Sequence, residues 1–112
     1  MTDLFNHYAD DGPERCGLIL MGGIILECEN IHAEPEKGFE IDPLTILKHE
    51  SEIEGTWHTH PGQSAILSGE DHFCFTQWPR LDHYIVGSDG VRVYKVMEGA
   101  VIDADHIPRK TG

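Results

Sequence analysis

Two histidines one residue apart, followed by a serine and two acids, are the side chains of this sequence best spaced to do chemistry together. They stand in Trp57-His58-Thr59-His60-Pro61 and, after a gap of seven residues from His60, in Ser68-Gly69-Glu70-Asp71. On a β-strand, side chains at i and i+2 share a face, so His58 and His60 can converge on a single ion. A carboxylate from the first turn of a following helix, Glu70 or Asp71, can close a third corner and leave the fourth to water. Three protein ligands and one open position are what separate a catalytic zinc site from a closed structural one.

Neither half of the pattern is informative alone. With eight histidines in 112 residues, a His-x-His arises by chance about half the time. A Ser-x-x-Asp is most often just a helix cap. Joined at fixed offsets, the two are expected by chance in roughly one sequence of several hundred, before Pro61 is counted.

The elements that must position these residues can be read from periodicity. Residues 53–60 alternate between Ile53, Gly55, Trp57, Thr59 and Glu54, Thr56, His58, His60, as in a strand with both histidines on one side. Pro61-Gly62 ends that strand. Ser68 then starts a capping box and a helix running toward Trp78, with Asp71 in its first turn. Upstream, residues 18–21 and 24–28 read as two strands joined at Gly22-Gly23, whose glycines supply the positive φ of a tight hairpin. Residues 30–38 read as a loop and 39–41 as a short extended piece. Asp42-Pro43 starts a helix that carries Leu44 and Leu47 one turn apart and ends near Ser51. A second hairpin pairs 83–86 with 91–96, residues 1–11 form a short helix, and the tail beyond Glu98 has little period apart from Val101-Ile102. No repeat or linker divides the chain, so residues 1–112 are expected to form one domain of the α/β (α+β) class.

The pattern resembles a known family. His58-Thr59-His60-Pro61, Ser68 and Asp71 match the His-x-His-Pro, seven-residue gap, Ser-x-x-Asp signature of JAMM/MPN+ (JAB domain) zinc isopeptidases. Glu14-Arg15-Cys16-Gly17-Leu18 is similar to the Glu-x-Cys-Gly-Leu start of its prokaryotic members, and 30–35 and 39–43 are similar to the segment that follows in prokaryotic and phage-tail JAB domains. The resemblance runs from Glu14 to about Val96. It implies a cytidine-deaminase-like mixed sheet flanked by helices, with Zn2+ held by His58, His60 and Asp71. It also implies that Glu14 moves the proton of the attacking water and that Ser68 donates to the oxyanion. Glu70 rivals Asp71 as third ligand, but the family spacing selects Asp71, and adjacent helical residues rarely face one ion. Threonine at Thr59 departs from the commoner serine, and the chain is too short for the insertions with which eukaryotic members grip ubiquitin.

Composition narrows the partners. Twenty acidic against eight basic residues give a net charge of -12, which disfavours nucleic acid and anionic membranes. No apolar stretch reaches the roughly 20 residues of a membrane span. Three scattered cysteines without a Cys-x-x-Cys pair fit a reducing, cytoplasmic setting rather than a disulfide framework. Cys16 at the start of a buried strand is expected to be inert, and His7, His32, His49, His72, His83 and His106 to be structural or solvated. The leading expectation is a peptidase or isopeptidase acting on a protein or peptide, possible substrates being the tails of ubiquitin-like or sulfur-carrier proteins. A phage-tail or prophage JAB peptidase and a non-catalytic MPN scaffold are the alternatives. Oligomeric state is not legible.

Overall fold

The computed structural model describes residues 2–109, so Met1 at the start of the expected N-terminal helix lies outside it. Six strands form one mixed sheet in the order β2-β1-β3-β4-β5-β6. They are β1 (Cys16–Leu20), β2 (Ile24–Cys28), β3 (Ile53–Thr59), β4 (Asp82–Gly87), β5 (Gly90–Met97) and β6 (Ala100–Pro108). Only β3 and β4 run parallel, joined by a crossover that contains the helix α2 (Gly69–Gln77); every other pair is antiparallel. The shorter helix α1 (Pro43–Lys48) precedes β3. This is the α+β class expected from the sequence.

Each face of the sheet has its own cover. On one face Ile19, Trp57, Val86 and Val91 pack around Leu4, which a 3-10 turn at Thr2–His7 delivers to the core. On the other, α2 sets Phe75 against Ala65, Ile85 and Tyr94, while Cys16, Leu18 and Leu20 pack with Ile41 and Ile46. Trp57 goes to the first face and Thr56 and His58 to the second, as strand alternation requires. Ile53, however, packs on the second face with Leu18 and Ile41 instead of sharing a side with Trp57, because the β1–β3 register shifts between Ile19 and Leu20.

Several local readings need correction. The N-terminal helix is a six-residue 3-10 helix, Thr2–His7, shorter than the 1–11 expected, and 39–41 joins no ladder of the sheet. The helix opening at Asp42, whose side chain does accept from the Leu44 N–H, ends at Lys48 instead of near Ser51. Leu44 and Leu47 face outward, 72% and 63% exposed, and Ile46 packs inward in their place. The first hairpin turn takes in Met21 as well as Gly22 and Gly23. The largest miss is β6, a nine-residue strand where little period was visible. It is an edge strand, mostly exposed, and its Asp103 and Asp105 belong to the charged surface that blunts such edges. A turn at Glu98-Gly99, both at positive φ, returns the chain into it.

Candidate metal centre

The site forms where β1, β3 and α2 meet. In the β1–β3 ladder Cys16 stands opposite His58, so continuing the antiparallel register by two residues carries Glu14 opposite His60. Glu14, Cys16, His58 and His60 therefore share the face that α2 covers. Ser68 caps α2 with its side chain accepting from the Asp71 N–H at 3.1 Å, while the Ser68 N–H donates to Asp71 Oδ2 at 3.0 Å. That reciprocal box ties the Asp71 carboxylate to the helix N-terminus and turns it toward the strand.

Four side chains expected at the site come together. His58 Nε2 lies 3.0 Å from Asp71 Oδ1, and His60 Nε2 lies 3.0 Å from Asp71 Oδ2. The two Nε2 atoms are 3.2 Å apart. Glu14, His58 and His60 also offer one ligand atom each within 4.8 Å of one another. All four residues are buried. Ser68 is exposed at the edge of the group, and while its hydroxyl oxygen accepts in the cap its proton can still be donated. Glu70, the rival ligand, turns away and meets His32 Nε2 at 2.8 Å.

Around an ion bound at about 2.0–2.1 Å in a tetrahedron, neighbouring donors lie roughly 3.3 Å apart. The 3.0–3.2 Å separations among His58, His60 and Asp71 are of that size. The donor set of two imidazoles and a carboxylate suits a borderline divalent ion such as zinc. His60 carries the support expected of a ligand: its Nδ1–H donates to the Ser64 carbonyl at 3.0 Å, which leaves Nε2 as the lone-pair nitrogen of the neutral ring. Two buried atoms have no hydrogen-bond partner here, His58 Nδ1 and Glu14 Oε1. Buried polar atoms are rarely left so, and Glu14 Oε1 belongs to the same constellation. The residues therefore fit a single small cation, with Glu14 and Asp71 competing as the acidic ligand. Asp71 meets each imidazole through a different oxygen, Oδ1 toward His58 and Oδ2 toward His60, while Glu14 forms with the two histidines the group whose ligand atoms lie within 4.8 Å of one another.

Electrostatics divides the two acids. Burial would raise the Asp71 carboxyl, but hydrogen bonds and charge from His58 and His60, with the Ser68 N–H, outweigh it and hold the group well below the usual carboxylate range. Glu14 lacks such partners, so burial pushes its carboxyl up to about 7 against the opposing pull of His60. Of the histidines, burial lowers His58 despite Asp71, whereas His60 is raised because Asp71 and the Ser64 carbonyl overcome its desolvation. The two neighbouring acids are thus pushed in opposite directions, Asp71 down by its partners and Glu14 up by burial.

The surrounding packing explains other residues of the pattern. Phe39 stacks on His58 with centroids 4.3 Å apart and also lines an apolar cavity of about 300 Å³ with Leu18, Ile41, Ile46, Trp78 and Leu81. Gly17 leaves room for the Trp57 indole, whose nitrogen donates to the Leu26 carbonyl at 3.2 Å; a Cβ at Gly17 would stand 2.6 Å from that nitrogen. Cys16 is fully buried and its thiol is pushed up to about 12 by burial, which makes it inert.

Two known proteins are similar to the chain. A probable TtuB-protein conjugate cleaving protease of Thermus thermophilus is 30% identical over 82 residues, covering 67% of this chain and 54% of that protein. The chain thus spans about half the length of that curated relative. A solution structure of protein DSY2949 from Desulfitobacterium hafniense superposes with a TM-score of 0.70 at 22% identity, covering 97% of this chain and 88% of that one. The fold is shared. No protein-family model matches the chain.

Proposed function

We propose that this chain is a zinc metallopeptidase or isopeptidase of the JAMM type, in which His58, His60 and Asp71 hold the metal. The observation that carries the reading is the division of labour in one buried cluster. Two imidazoles meet an acid held ionised, beside a second acid whose carboxyl has no partner and sits at about 7. When bound, zinc supplies a Lewis acid for the scissile carbonyl and brings water to a pKa of about 7.

Glu14 takes the proton of the attacking water and delivers it to the departing amine. A carboxyl with a pKa near the working pH is suited to both halves of that transfer, which contributes roughly 10²-fold to 10⁴-fold. Ser68 donates its hydroxyl proton to the oxyanion, held in place by the cap it forms with Asp71. Ser64 and Asp71 fix the two imidazole rings between them. Cys16 takes no part.

The substrate is proposed to be a protein carrying an extended or conjugated tail, of the ubiquitin-like or sulfur-carrier kind. The name of the Thermus relative, a conjugate-cleaving protease, supports this class over a tail-assembly role. The test is elemental analysis of wild type, His58→Ala and Glu14→Ala, with cleavage of ubiquitin-like proteins bearing C-terminal extensions. Zinc near one per chain, lost in His58→Ala and kept in Glu14→Ala, with chelator-sensitive cleavage, is expected. Full metal in His58→Ala removes that ligand from the scheme. Absence of any chelator-sensitive cleavage favours a scaffold.

A further inference from the structure

Glu14 reaches the cluster from a main chain that no ladder holds, because β1 begins only at Cys16. Its carboxyl Oε1 is buried without a partner. A side chain with nothing gripping its tip takes its position from its backbone, and that backbone is fastened on both sides.

On the downstream side the Thr59 N–H donates to the Arg15 carbonyl at 2.8 Å, as a sheet pair would. The return bond, however, runs from the Arg15 N–H to the Thr59 side-chain oxygen at 2.9 Å. A hydroxyl between the two histidines thus replaces a backbone carbonyl and extends the β1–β3 register one step beyond the strand. On the other side the Glu14 N–H donates to the Pro35 carbonyl at 2.7 Å, and the Glu14 carbonyl accepts from Asn30 Nδ2 at 2.8 Å. Asn30 uses its whole amide: Nδ2 also reaches the carbonyls of Gly38 at 3.0 Å and Pro35 at 3.4 Å, and Oδ1 accepts from the N–H groups of His32 and Glu40, each at 3.1 Å.

We propose that Thr59 and Asn30 are positioning residues that clamp the main chain around Glu14 and so set its carboxyl against His58 and His60. The proposal rests on Glu14 being the proton carrier. A misplacement of about 1 Å at such a group costs on the order of 10²-fold in rate. Removing one arm of the clamp should therefore damage turnover while leaving the metal ligands and substrate binding in place.

The experiment compares Thr59→Val, which keeps the branched shape without the hydroxyl, with Thr59→Ser and Asn30→Ala. Each is made in wild-type and Glu14→Gln backgrounds and assayed on a ubiquitin-like protein with a C-terminal peptide extension. For Thr59→Val and Asn30→Ala, kcat is expected to fall roughly 10-fold to 100-fold, with KM and zinc content within about twofold of wild type. Thr59→Ser should restore it. In the Glu14→Gln background neither change should cost anything further, because the residue they serve has already been disabled. Independently of activity, amide hydrogen exchange in the metal-free protein should speed at least about tenfold at Glu14 and Arg15 in Thr59→Val and return to wild-type protection in Thr59→Ser. Wild-type kcat and unchanged exchange in Thr59→Val overturn the clamp, as does an equal loss of kcat in both backgrounds. A fully active Glu14→Gln single variant overturns the clamp and the assigned role of Glu14 together; metal content still reports separately on His58, His60 and Asp71.

Discussion

Two buried histidines on neighbouring strands, His58 on β3 and His83 on β4, look toward the same ring of Phe75, at 6.1 Å and 4.2 Å. Beyond that they have little in common. His83 accepts from the Thr56 hydroxyl at Nδ1, 2.7 Å away, and donates from Nε2 to the Trp78 carbonyl at 3.0 Å. Both its nitrogens are satisfied, and it ties the C-terminal end of α2 to β3. His58 has an Nδ1 with no partner and an Nε2 crowded by another imidazole and a carboxylate. One end of α2 is therefore a closed polar network of the kind that stabilises a fold. The other end holds groups that the fold alone does not satisfy. Burial and residue type are the same in both places; what marks the chemical site is incomplete satisfaction in company with an acid of displaced pKa.

The comparison breaks most sharply at Asp71. Asp71→Asn removes the charge that both imidazoles face, and metal content measured by elemental analysis should drop from near one per chain to near zero, with chelator-sensitive cleavage lost alongside it. If that variant keeps stoichiometric zinc, Glu14 and not Asp71 is the third ligand, and the two acids exchange roles.

Glu14→Gln should separate function from stability. Turnover is expected to fall by about 10²-fold to 10⁴-fold with zinc retained. The folded-state pKa of Glu14 is raised, so its favourable contribution is full below about 4.5, the ordinary value, and is lost as pH rises through about 7. At about 1.4 kcal/mol per pH unit, the metal-stripped wild type should lose on the order of 3 kcal/mol at most over that window. The glutamine variant should show no such decline, so it should be the more stable of the two at pH 8 in urea denaturation. A difference in stability between wild type and Glu14→Gln that stays constant from about pH 4.5 to 7.5 would mean that the carboxyl titrates normally.

His83→Leu tests the other end of the helix. It leaves the Trp78 carbonyl and the Thr56 hydroxyl without their partner, a cost of about 1–3 kcal/mol, read as a lower denaturation midpoint. Metal content should stay near one per chain. Loss of zinc at wild-type-like stability would show that His83 belongs with the cluster after all.

These contrasts also explain what could be read from the sequence. The spacing of His58, His60, Ser68 and Asp71 was legible because each neighbour obeys a local rule: strand alternation puts the histidines on one face, and a capping box locates the acid. The hairpin at Gly22-Gly23 and the proline-started helix α1 were legible for the same reason. Glu14 entered only through resemblance, since its place opposite His60 depends on the β1–β3 register, which is a long-range fact. The Asn30 and Thr59 contacts are of the same kind, and no local pattern announces them. The one-turn spacing of Leu44 and Leu47 marked a helix without saying what lies against that face, which is solvent. The edge strand β6 escaped because it is placed by backbone pairing with β5, which side-chain periodicity does not report.

That edge supplies the smallest expected effect. Arg92 on β5 bridges to Asp103 on β6 at 2.7 Å, with the Asp103 side chain substantially exposed. An exposed ion pair of this kind contributes about 0–1 kcal/mol and is screened by salt. Asp103→Asn should therefore lower stability by no more than about 1 kcal/mol at low ionic strength, and by less at high salt. Zinc content and turnover should not change, because β6 contributes no residue to the cluster. A large loss of metal in this variant would mean that the sheet transmits strain from its outer edge to β3. The buried, unpaired Nε of Arg92 would then belong with His58 Nδ1 and Glu14 Oε1 to one network that reaches the site.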